Sequence, residues 1–183
     1  GFNARTDAST ILGTGVSVST NITATEDFTI NGVTIGPNAT DTPSASALAT
    51  HLNTYSASTN VTASAKSQVT LQMLTATAAG ATKITASTAN MIVNGTAIAL
   101  TQNATVTATI STINTTLSGV GVSIVATQGD GVSDIVLTSS SGETIEVKDI
   151  GTHVSKATNI DGVETQTAAL ANIRVEFGGQ LTL

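Results

Sequence analysis

Phe28-Thr29-Ile30-Asn31-Gly32-Val33-Thr34-Ile35 alternates apolar with polar residues on both sides of an Asn-Gly pair. A two-residue hairpin turn of type I′ needs φ > 0 at both central positions, and Asn followed by Gly meets that need at the least steric cost. The segment therefore predicts two short antiparallel strands. The pattern recurs in Met91-Ile92-Val93-Asn94-Gly95-Thr96-Ala97-Ile98, whose Asn-Gly pair lies 63 residues after the first. One such pair is a local signal, whereas two in matching contexts predict an internal repeat.

A helical stretch follows each hairpin. In residues 45–53, Leu48 and Leu52 are four apart, Ala45 and Ala49 share their side, and Ser44 stands at the N-cap position. In the second copy Val106, Ile110, Ile113 and Leu117 make a longer stripe. The helices are expected to end near Asn53 and Asn114, which are 61 residues apart. Thr and Ser are mediocre helix formers, so both helices must rely on packing against a sheet.

Strands come next. Asn60-Val61-Thr62-Ala63-Ser64-Ala65 and Val69-Thr70-Leu71-Gln72-Met73 alternate in the first copy. Val120-Gly121-Val122-Ser123-Ile124-Val125 and Asp134-Ile135-Val136-Leu137-Thr138 do so in the second, with a turn at Gln128-Gly129-Asp130-Gly131. Glu143-Thr144-Ile145-Glu146-Val147 is a further strand after the turn Ser139-Ser140-Ser141-Gly142. The fold class is α+β and β-rich: two small repeated β-β-α-β-β units, each an antiparallel sheet with one packed helix. Residues 1–25 read as a leading strand or linker, 26–88 as the first unit, 89–150 as the second, and 151–183 as a closing segment returning toward the N-terminus. Units of about 60 residues bury little surface alone, so the two should pack together or share a sheet. Val16-Ser17-Val18-Ser19 reads as a strand before the first unit. Residues 168–173 begin a helix or a linker, and Ile173-Arg174-Val175-Glu176-Phe177 reads as a last strand near the N-terminal segment.

Composition removes several function classes. Thr (36) and Ser (18) make up 54 of 183 residues, while only 10% are charged, so hydroxyl groups must supply the surface polarity. Six Lys and Arg against twelve Asp and Glu give a net charge of −6, which repels nucleic acid. No run approaches the roughly 20 apolar residues of a membrane-spanning helix, so no membrane association is expected. Cysteine is absent, which excludes disulfides, thiolate nucleophiles and cysteine metal sites. The N-terminal Gly1-Phe2-Asn3-Ala4-Arg5 carries neither an initiator Met nor a basic and apolar leader. The expectation is a middle piece of a longer protein.

At the Ile30-Asn31 pair within residues 28–35 the sequence resembles the flagellin hook-IN motif. The helix ending in Leu52-Asn53 and the following Asn60-Val61-Thr62-Ala63-Ser64 extend the likeness. The second copy is more divergent, with Val93-Asn94, Ile113-Asn114 and Gly121-Val122-Ser123 in the matching places. The copies together span residues 26–147. The resemblance implies an extracellular part of the bacterial flagellum: the surface-exposed variable region of a flagellin-like filament subunit, or a domain of a hook-associated or cap protein. It also implies export through the flagellar channel without a cleaved signal peptide, and contacts with other flagellar subunits through regions outside this chain. The protein alone is expected to be a monomer.

No chemistry competes strongly with a structural role. His51 and His153 have no His, Cys or carboxylate at ligand spacing, and read as exposed or structural. Asp130 and Asp134 flank a Gly-rich turn but miss the EF-hand spacing, so they read as solvated carboxylates. Glu143, Glu146 and Asp149 around Lys148 read as a charged, exposed strand edge. There is no Gly-x-Ser-x-Gly elbow. No catalytic, cofactor or metal residue is assigned, no cofactor is expected, and an enzyme is the least favoured reading. Six Asn-x-Thr sequons, at Asn21, Asn38, Asn60, Asn94, Asn103 and Asn114, reflect composition. Residues 75–88 and 139–141 are the candidate patches for O-linked glycans, which the resemblance makes credible. Thr also simply suits exposed strands, and that plainer reading carries more weight. A secreted adhesin or carbohydrate-binding module is disfavoured, because Phe2, Phe28, Phe177 and Tyr55 are the only aromatic side chains of these types to stack on a sugar.

Overall fold

The structure, a computed structural model, describes residues 9–12, 29–38, 44–78, 81–85, 90–150, 153–160, 164–166, 174–177 and 179–182. In chain order the elements are β1 (Ser9–Leu12), β2 (Thr29–Ile30), β3 (Val33–Thr34), α1 (Ala45–Asn53), α2 (Ser56–Thr59), β4 (Ser64–Met73), β5 (Thr75–Ala78), β6 (Ala81–Ile84), β7 (Asn90–Val93) and β8 (Thr96–Ala99). They continue with α3 (Val106–Gly119), β9 (Ile124–Gln128), β10 (Asp134–Ser139), β11 (Ile145–Lys148), β12 (Val154–Asn159), β13 (Glu164–Gln166), β14 (Arg174–Phe177) and β15 (Gly179–Thr182). This is a β-rich α+β fold built from antiparallel sheets. Among the described residues no helix is long and apolar enough to cross a membrane.

Both Asn-Gly pairs turn hairpins. Asn31 and Gly32 have φ of 50° and 79°, and Asn94 and Gly95 have 44° and 78°, the signs a type I′ turn requires. They join β2 to β3 and β7 to β8. Helix α1 occupies the expected 45–53, and the Ser44 hydroxyl accepts from the Ala47 amide at 3.1 Å as its N-cap. Thr105, 61 residues on, caps α3 in the same way through Ala108 at 3.2 Å.

The strands depart from expectation in ways the local chemistry explains. Residues 60–65 and 69–73 are not two strands: Asn60 (φ 54°) is the left-handed C-cap of α2, residues 61–63 belong to no strand, and β4 then runs unbroken for ten residues. Lys66-Ser67-Gln68 contains no Gly, Pro, Asn or Asp to break the strand, and Ser67, Val69, Leu71 and Met73 stay in phase on the buried face. Helix α3 overruns Asn114 to Gly119. It closes with a Schellman cap in which Gly121 (φ 76°) donates to Ser118 and Val122 donates to Leu117, at 3.1 and 3.0 Å. The cap consumes Val120-Gly121-Val122, so β9 starts only at Ile124. Residues 16–19 and 168–173 lie outside the described residues.

The sheets mix the copies. A six-stranded sheet runs β13-β12-β4-β10-β9, with β15 beside β12 on the same flank of β4. Here β4, within the expected first unit 26–88, pairs with β10, within the expected second unit 89–150, from Asp134↔Gln72 to Ser139↔Ser67. A five-stranded sheet runs β1-β14-β11-β7-β8, while β2–β3 and β5–β6 are separate two-stranded hairpins. The hairpin β7–β8 and the pair β9–β10 thus fall in different sheets, not in one small sheet per copy. The expected final strand is present as β14 over Arg174–Phe177. Its N-terminal partner is β1, in register Ser9↔Phe177 to Leu12↔Arg174.

Residues from both sheets and α3 form the main apolar cluster, which includes Leu71, Met91, Ile113, Leu117, Leu137 and Val147. A smaller cluster of Ile35, Leu48, Ala49, Leu52 and Ala63 lies under α1. Of the expected helix stripe, Leu48, Leu52, Ile113 and Leu117 are buried, and Ile110 is half-buried against the main core.

Candidate functional site

Asparagine carboxamides recur as the most specific polar contacts in the molecule. Asn53 Nδ2 donates to the Ala63 carbonyl at 2.9 Å while Oδ1 accepts from the Ala63 amide at 2.7 Å. Asn114 repeats the bracket on Ala126 with the same two distances, 2.9 and 2.7 Å. Asn94 spans β11 similarly, donating to the Thr144 carbonyl at 3.1 Å and accepting from the Glu146 amide at 2.7 Å. Asn31 donates to the Thr59 carbonyl at 2.8 Å. A carboxamide presents one donor and one acceptor side, like a peptide group, and so acts as one added rung of a β ladder. The sequence marked these residues as repeat positions and sequons. Their bracketing role was missed, although their near-equal offsets were the signal for it.

These bonds also bear on the sequons. Carboxamides 94 and 114 are engaged with backbone, and Asn38 is buried, whereas Asn60 and Asn103 are exposed and left-handed. Asn21 lies outside the described residues. In the hydroxyl patches, Thr75 is exposed on β5, but Ile84 is buried. Ser139 is also buried, with its Oγ 3.0 Å from that of Ser141, while Ser140 and Ser141 are exposed. Ser139 therefore leaves the candidate patch: it ends β10, facing inward beside Ser67 of β4.

The titratable groups have structural tasks. His51 Nε2 lies 2.8 Å from the Gly36 carbonyl, which can only accept, so this nitrogen carries the proton. The Gly36 amide donates to the Tyr55 hydroxyl at 3.2 Å, and the His51 and Tyr55 rings meet edge to face at 5.5 Å. Together they clamp the segment after β3 onto α1. His153 is fully buried at the start of β12, and its carbonyl accepts from Leu74 at 2.8 Å.

Asp130 is exposed as expected. Asp134 is half-buried instead of solvated, because Oδ2 accepts from the Gly131 amide at 3.1 Å and closes the turn. Gln128 Nε2 reinforces that turn by donating to the carbonyls of Gly131 and Asp134. The expected charged edge at residues 143–149 is corrected: β11 sits between β14 and β7, and its Glu146 and Lys148 pair at 2.8 Å on an interior strand. Its partner β14 arrives from the far C-terminal part of the protein, which local patterning does not reveal.

Among the described residues, no group of three or more His, Asp or Glu side chains is placed to hold a metal ion. Among the described residues the large apolar side chains most open to solvent are Val120 at the end of α3, Val125 on β9, the edge strand of the six-stranded sheet, and Val132 in the turn between β9 and β10. No known protein family, curated protein or solved structure matches the sequence. What the arrangement offers is a hydroxyl-rich β scaffold cross-braced by asparagine side chains.

Proposed function

We propose that the protein is a surface-projecting module of a flagellin-like filament subunit, outside the cell, with a structural and not a catalytic task. The observation that carries this reading is the antiparallel pairing of β1 with β14. Strand neighbours lie about 5 Å apart, and β15 begins two residues after Phe177, so a host polypeptide entering at β1 and leaving after β15 would have its entry and exit within a few residues of each other. Modules with adjacent ends are tolerated as insertions. The finer reading, two copies of a β-β-α-β-β unit, is supported by the matched Ser44 and Thr105 caps and by the Asn53 and Asn114 brackets. Exposed hydroxyls such as Thr75, Ser140 and Ser141 are the positions this reading offers to O-linked glycans.

The test is an in-frame deletion of residues 9–182, β1 to β15, in the full-length subunit, examined by electron microscopy of the cells. Filaments of near-normal length with an altered surface are expected. Loss of filaments despite normal expression and export would overturn the proposal.

A further inference from the structure

We propose that Asn31 is a site of spontaneous covalent modification, deamidation to aspartate and isoaspartate, and that the sequence-equivalent Asn94 is shielded from it by the fold. In each Asn-Gly pair the glycine amide nitrogen can attack the carbonyl carbon of the Asn carboxamide, and glycine has no Cβ to obstruct the approach. The Gly nitrogen loses its proton, the new C–N bond forms, and the C–N bond of the carboxamide breaks with release of ammonia. Water then opens the cyclic imide at either carbonyl. The net change is asparagine plus water to aspartate or isoaspartate plus ammonia, with no oxidant or other reactant. Because a carboxamide tied by hydrogen bonds must let go before it can swing onto that nitrogen, the rate follows local opening.

The two sites differ sharply in what holds them. Asn31 is exposed, and its one described carboxamide bond goes to the Thr59 carbonyl. It turns a hairpin whose strands have two residues each and which forms a sheet by itself. Asn94 has both carboxamide atoms and its backbone amide bonded to residues 144–146. Its hairpin belongs to the five-stranded sheet, and Met91, Val93 and Ile98 beside it are fully buried. Opening at Asn94 disturbs the main core, while opening at Asn31 disturbs a satellite. Conversion at Asn31 replaces the donor to Thr59 with an acceptor, so the hairpin loses its tie to the end of α2. Isoaspartate also adds a backbone atom to a two-rung ladder.

The two asparagines fall in separate tryptic peptides, residues 6–66 and 84–148, and they are the only Asn residues followed by Gly. The folded protein is held in mildly alkaline buffer at physiological temperature, with a second sample in denaturant. Amide-to-acid conversion is followed in each peptide by mass spectrometry, and the Asn31→Ala variant serves to assign the signal. In the folded protein, conversion in 6–66 should outpace that in 84–148 by on the order of tenfold. In denaturant the two should convert at comparable rates. Equal rates in the folded protein, faster conversion at Asn94, or a signal in 6–66 that persists in Asn31→Ala would overturn the proposal.

Discussion

A single carboxamide holds Ala126 by both its backbone groups, and the same geometry holds Ala63. Truncating Asn114 to Ala removes two bonds and leaves the backbone groups of the buried Ala126 without that partner. The expected destabilisation is about 1–3 kcal/mol, read as a lower midpoint in urea at an unchanged denaturant slope. Asn114→Asp should fare no better, because it keeps the acceptor and loses the donor. If either variant matches the parent midpoint, the bracket contributes nothing to stability. By contrast, the Glu146–Lys148 pair has Lys148 38% exposed on its side chain. Lys148→Ala should therefore shift stability by less than about 1 kcal/mol, which the same melts would check.

At the scale of elements, burial of the helix stripes is what lets a Thr- and Ser-rich segment stay helical. Leu52 serves the small core and Ile113 the main one, and both are buried. Replacing either with Ala should cost roughly 2–5 kcal/mol, depending on how far the site collapses. Connections matter as much as elements. Gly142, between β10 and β11, has φ 73°, and a Cβ there would collide with Ala65 of β4. Gly142→Ala should lose at least about 1 kcal/mol from the left-handed backbone alone, with a further loss from displaced β4. A thermal melt at or above the parent midpoint would show that the loop relaxes freely.

At the scale of the whole molecule, β14 stands between β1 and β11 and β15 continues on the flank of β4, so the C-terminal strands serve both sheets. A protein truncated after residue 173 should lose the single cooperative unfolding transition and expose apolar surface to dye. Retention of a sharp, single transition would mean these strands are appended and not integral. The hairpins at Asn31-Gly32 and Asn94-Gly95, the span of α1, the Ser44 cap and most of the buried stripe were legible in the residues. Each rests on neighbours a few positions apart, where backbone sterics and side-chain period act directly. Tertiary structure alone decided the rest. It set the pairing of β4 with β10, placed β11 inside a sheet and not at an edge, and made β1 a partner of β14. It also gave the asparagines their brackets. These depend on which distant backbone groups remain to be satisfied once the core has closed, and an alternating pattern specifies which face of a strand is buried without naming the strand beside it.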